Sequence, residues 1–113
     1  MKENIIADKS FEFAKKIVFL SKELYSQNEY VIARQVLKSG TSIGANVEEA
    51  IGGISKKDFR AKMSISYKEA RETHYWLRLL NETNYLNDKE FKELTIELTS
   101  ILKILFKIIE SSK

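Results

Sequence analysis

The sequence predicts an all-α fold, an antiparallel up-down-up-down four-helix bundle. Three observations lead there. The 113 residues contain no proline and only four glycines, too few turn residues for a chain of strands and hairpins. Apolar residues recur at three- and four-residue steps in four separate segments, the period of an amphipathic helix. The connections between those segments are short, so consecutive helices must run back alongside one another. One domain over residues 1–113 is expected for this length, with helices over about 10–27, 30–51, 56–84 and 88–111.

The first helix is expected to start at Ser10, a residue type that caps helices. Ala14, Ile17, Val18, Leu24 and Tyr25 form its apolar stripe, and Asn28 and Glu29 form the connection that follows. The second helix carries Ala33, Leu37, Gly40, Gly44, Val47 and Ile51 on one stripe. Gly52 and Gly53 are expected to end it in the left-handed conformation that glycine takes readily. Ser55, with Asp58 three residues on, resembles a capping box and starts the third helix. Phe59, Met63, Ser66, Ala70, Thr73, Leu77 and Leu80 are its inner stripe, and it stops near Asn81–Asn84. Asn87 caps the fourth, whose stripe includes Phe91, Leu94, Leu98, Ile101, Leu105 and Ile108. Disordered ends are expected only at residues 1–6 and 111–113.

Within the second helix, residues 39–50 (SGTSIGANVEEA) are unusually small for a helical segment. Each glycine there costs a helix about 0.5–1 kcal/mol relative to alanine. Since Gly40 and Gly44 fall on the inward stripe, a neighbouring helix that needs to come close explains them.

Composition excludes several functions. With 43% hydrophobic and 31% charged residues, the chain can build one core but has no apolar window approaching the roughly 18 residues of a membrane span. No signal peptide is expected in MKENIIADKSFEF, so the expected compartment is the cytoplasm. The chain has no cysteine and one histidine. Disulfides and thiolate metal sites are therefore excluded. A di-iron carboxylate centre would need Glu-x-x-His pairs on two helices, yet Arg71 stands three residues before His74. Neither a metal, a cofactor nor a catalytic residue is expected, and the protein reads as no enzyme.

The net charge is +3, and its distribution is uneven. Residues 54–84 hold seven basic and four acidic side chains, an excess equal to the whole. Lys56, Lys57, Arg60 and Lys62 surround the start of the third helix, where positive charge opposes the helix dipole. An anionic partner such as an RNA backbone would suit them, with Lys68, Arg71 and Arg78 extending the track. The plainer alternative is a solvated lysine-rich surface. Tyr67, Tyr75 and Trp76 add aromatic surface to the same helix and are the candidate subunit interface. Asn46, Glu49 and Glu72 are expected to form a polar layer between the second and third helices.

The run QVLKSGTSIGANVEEA, residues 35–50, resembles the four-helix-bundle family encoded within intervening sequences of bacterial 23S ribosomal RNA genes. Gln35, Ser42, Ile43, Asn46 and Glu49 stand at its signature positions; Val47 replaces the usual isoleucine and Gly44 a frequent proline. Leu37 and Lys38 stand where two arginines are common, which leaves Lys38 as the single candidate nucleic-acid contact there. The start SKKDF, residues 55–59, and Glu72, Thr73 and Leu77 match the family's third helix. The resemblance implies a homopentameric ring with a central channel and no catalytic activity. It also implies kinship with the accessory proteins of diversity-generating retroelements, which bind a reverse transcriptase and nucleic acid. The expected function is thus an RNA-associated, ring-forming interaction protein; the alternative is an adaptor for a reverse transcriptase or another protein.

Overall fold

The computed structural model of the chain describes residues 2–113. Four helices follow one another: α1 (Lys2–Ser26), α2 (Tyr30–Ile51), α3 (Lys56–Glu82) and α4 (Asp88–Ser111). Each packs on its two neighbours, in the cycle α1–α2–α3–α4 and back to α1, with no close backbone approach across the diagonals among the described residues. Side-chain contacts fix the directions. Ser66 of α3 donates to the Ile43 carbonyl of α2, while Thr73, further along α3, meets the earlier Ser39. Gly44 faces Ser10, and Gly40 faces Ile17. Tyr67 packs on Phe106, and Asn81 bonds Asp88. All neighbours are antiparallel, which is the bundle that the periodicity predicts.

The helix ends follow local chemistry. The Ser55 hydroxyl accepts from Asp58 N at 3.0 Å, and the Asn87 side chain accepts from Glu90 N at 2.8 Å, each satisfying a donor that has no intrahelical partner. Two expectations fail here. α1 begins at Lys2, not Ser10, and residues 2–6 are helical, with Ile6 in the core; residue 1 lies outside the described residues. Ser10 is fully buried inside α1, its hydroxyl donating to the Ala7 carbonyl at 3.2 Å. A small polar residue there serves packing against α2, not capping. Gly52 closes α2 at φ −83°, and no glycine takes a positive φ; the left-handed positions are Asn28 and Asn84. Asparagine tolerates this conformation. At Gly53 an added Cβ would stand 2.5 Å from an Asp58 carboxylate oxygen and 3.0 Å from the Ala50 carbonyl, so a side chain there would make the Asp58 carboxylate swing aside.

The core is apolar on all four helices, with Phe13, Ile17, Ile43, Met63, Leu77, Leu98 and Leu105 among its buried members. Between α2 and α3 it contains a polar layer, two of whose members, Ser66 and Thr73, stand on the predicted inner stripe of the third helix. Asn46, Glu49 and Glu72 do not form it. Asn46 bonds the Ser42 carbonyl of its own helix, while Glu49 and Glu72 are exposed. Ser39, Ser66 and Thr73 form it instead, all three fully buried. Thr73 Oγ1 lies 2.9 Å from Ser39 Oγ and 2.8 Å from the Glu69 carbonyl. Hydroxyls of this size fill the close α2–α3 contact, Thr73 bonding Ser39 and Ser66 bonding the Ile43 carbonyl. Replacing Thr73 by the isosteric valine is expected to cost about 1–2 kcal/mol, because the Ser39 hydroxyl loses its good partner. Urea unfolding of T73V measures it.

Candidate nucleic-acid interface

The sequence places Lys56 and Lys57 in the first turn of α3, where their charge opposes the dipole. The fold resolves that conflict with Asp58, whose carboxylate turns back towards the α2–α3 connection beside Gly53. The helix end is thereby neutralised by its own chain. Lys56, Lys57 and Arg60 remain exposed and make no ion pair among the described residues. Together with Ser64 and Ser112 they line an open hollow of about 440 Å³, where the start of α3 meets the end of α4. Lys103 and Lys107 are exposed on the last turns of α4, which pack against this half of α3. Sequence reading missed them because they read as interruptions of an apolar run. By the Tyr67–Phe106 register they stand level with the middle of α3, so they flank the hollow's approach without lining it.

The remaining basic candidates divide between two flanks of α3. Arg71 and Arg78 follow Tyr67 by four and eleven residues, on the flank towards α4. Burial lowers the His74 imidazole below its ordinary 6.5, and the neighbouring Arg78 and Arg71 lower it further. Lys68 is exposed. Lys62 lies on the other flank, towards α2, in a 3.1 Å pair with Glu49. Lys38 belongs to that flank as well. Burial and Glu72 raise the Glu69 carboxyl above its ordinary 4.5, whereas Lys38 and Lys68 act against the rise. Lys38 and Lys62 therefore do not join Lys56, Lys57 and Arg60 in one track.

The His74 shift sets a sign. The unfolded chain takes up this proton at higher pH than the folded one, so stability falls as pH drops through the interval just below 6.5. Between pH 7.5 and 5.5, thermal melting is expected to lose less stability in His74→Gln than in the parent chain.

The three aromatic candidates do not form one patch. Tyr67 is half-buried against Phe106 of α4, with ring centroids 6.3 Å apart. Tyr75 and Trp76 meet edge to face at 5.0 Å, and the Trp76 indole donates to Glu72. Tyr75 is 49% exposed and has Arg78 over its ring. The signature residues are likewise spread. Ile43 and Thr73 are buried, Ser42 bonds the Lys38 carbonyl, and Gln35 is exposed.

Among the described residues, no three His, Asp or Glu side chains converge as a metal site. No helix among the described residues is long and apolar enough to cross a membrane. Anion binding is the chemistry that the exposed, unpaired cations can perform.

Comparison with known proteins agrees with this architecture. The family profile described as 23S rRNA-intervening sequence protein matches residues 2–107. The chain is similar to a crystal structure from Bacteroides thetaiotaomicron, a protein of unknown function from the S23 ribosomal protein family. The two are 47% identical, with 97% of this chain and 99% of that chain covered and a TM-score of 0.95. No curated protein sequence matches the chain.

Proposed function

From the premise that this chain belongs to the 23S rRNA-intervening sequence protein family, we propose that it is a non-enzymatic, cytoplasmic, ring-forming bundle that holds structured RNA by its phosphates. The observation that carries the RNA half is the cluster of Lys56, Lys57 and Arg60, exposed and without ion pairs among the described residues, around one open hollow. Side chains that find no carboxylate on their own surface are available to displace counterions from a polyanion. No aromatic and basic residues are arranged as in a base reader, so the proposed recognition is of backbone and shape. The ring half follows from the family resemblance, with five copies as the expected number.

Two measurements test the proposal. Sedimentation velocity at micromolar concentration is expected to give an assembly; a clean monomer would refute the ring. Titration of a structured ribosomal RNA fragment at 50 and 200 mM salt is expected to show a steep loss of affinity, roughly tenfold or more for a few phosphate contacts. If no RNA binds at the lower salt, the RNA half fails and the protein-adaptor reading takes its place.

A further inference from the structure

The contact between α1 and α4 is the loosest of the four. An open groove runs along it as two hollows of about 220 and 270 Å³ that share Glu97. Leu20, Leu94 and Ile101 give the groove an apolar floor. Its rim is acidic, with Glu23 on α1 and Glu90, Glu93 and Glu97 on α4. Lys16 lies within that stretch and pairs with Glu97 Oε1 at 2.8 Å, while Lys9, with Asp8 and Glu12, lines the second hollow. Glu97 Oε2 is buried and has no hydrogen-bond partner among the described residues. Phe19, 67% exposed, stands beside it. An acidic rim over an apolar floor suits a helix face that offers cations and an aromatic ring.

The chain itself has that face. Arg71, Tyr75 and Arg78 lie along the exposed side of α3, the arginines unpaired among the described residues and Tyr75 half exposed. The levels agree as well. Tyr67 meets Phe106 and Asn81 meets Asp88, so Arg71 and Arg78 lie between those two heights on the bundle. Glu93 and Glu97 lie between the same two heights. Copies related by rotation about an axis parallel to the bundle meet at equal height, which sets arginines against glutamates. The two surfaces are different, so the contact is head-to-tail. They also occupy adjacent sides of the bundle, the α1–α4 seam and the α4-facing flank of α3. Successive copies therefore turn instead of stacking in line, the geometry that a ring needs.

We infer that the α1–α4 groove receives α3 of a second copy of this chain, with Glu93 and Glu97 facing the neighbour's arginines. This rests on the self-assembly proposed above and assigns its two faces. It leaves Lys56, Lys57 and Arg60 outside the contact, so a ring would present that cluster once per copy and bind RNA with gain from multivalency.

A charge exchange tests the assignment. Sedimentation velocity is run on the parent chain, on Glu93→Lys/Glu97→Lys, on Arg71→Glu/Arg78→Glu, and on an equimolar mixture of the two variants. The parent is expected to assemble, each variant to sediment as a monomer, and the mixture to regain assemblies in which the two variants alternate; because an odd ring of five leaves one like-charged junction, these are expected as open chains or even-numbered rings that differ in size from the parent. Circular dichroism follows the fold of each, and the milder Glu93→Gln/Glu97→Gln is expected to make assembly weaker and less sensitive to salt. If the parent assembles and the variants match it in size, the faces are wrong while the ring stands. If the parent is itself a monomer, the ring and its faces fall together.

Discussion

Gly40→Val is expected to lower the unfolding free energy by about 3 kcal/mol, the upper range for overpacking a core. A Cβ at position 40 would stand 2.8 Å from Ile17 Cγ2 and 2.9 Å from Cγ1. Ile17 is fully buried, so it cannot swing into solvent, and α1 and α2 must part. For a chain near this size, about 4 °C of melting temperature per kcal/mol turns the loss into a fall of roughly 10 °C or more. Gly40→Ala divides the effect. Alanine returns up to about 1 kcal/mol of helix propensity while overpacking costs about 1–3 kcal/mol, leaving a smaller net loss. Gly44→Ala is the contrast. Its Cβ would lie 3.2 Å from the Ser10 hydroxyl, which can give slightly, so the propensity gain leaves stability within about 0.5 kcal/mol of the parent. Ile17→Ala placed in the Gly40→Val background is expected to recover part of the loss, since valine occupies the space that isoleucine leaves. Unchanged melting in Gly40→Val would mean that the two helices do not approach this closely.

The triple replacement Lys56→Gln/Lys57→Gln/Arg60→Gln is expected to weaken binding of a structured RNA about a hundredfold at 0.1 M salt. Each phosphate contact removed takes away close to one unit of the slope of log affinity against log salt. Three contacts therefore flatten that slope by about 2–3 units. The fold should be unaffected, because all three side chains are exposed and Ser55 and Asp58 still close the helix end. Lys62→Gln is the control, since its ammonium already pairs with Glu49. It is expected to change RNA affinity less than any one of the three. An equal loss from Lys62→Gln and from Lys57→Gln would show that the unpaired cluster has no special part.

Much of the architecture was legible because helix periodicity is a local property. The stripes of α2, α3 and α4 needed only residues three and four apart, and Ser55 and Asn87 announced their helix starts by side-chain chemistry. Ser10 misled for an instructive reason. Serine suits a helix cap, but it also suits a place where two helices touch, and only the partner helix tells these apart. The same ambiguity moved the polar layer from Asn46, Glu49 and Glu72 to Ser39, Ser66 and Thr73. Long polar side chains can reach solvent from the edge of a contact; short hydroxyls cannot, and they bond across it.

For the candidate site, the sequence showed an excess of positive charge on α3 but not how that charge is divided. Neighbours four residues apart share a flank, yet the flank's surroundings belong to other helices. Lys62 and Lys38 look towards carboxylates on the α2–α3 side, while Lys56, Lys57 and Arg60 make no ion pair among the described residues. Periodicity and capping chemistry specified the four helices and their order, and marked Gly40 and Gly44 alike as places of close approach; the neighbour Ile17 is what makes position 40 the stricter one. The tertiary structure alone decided which charges are neutralised and which are free. The physical reason is range: hydrogen bonds within a helix and its periodicity act over a few residues, whereas charge pairing and packing act between residues that only the fold brings together.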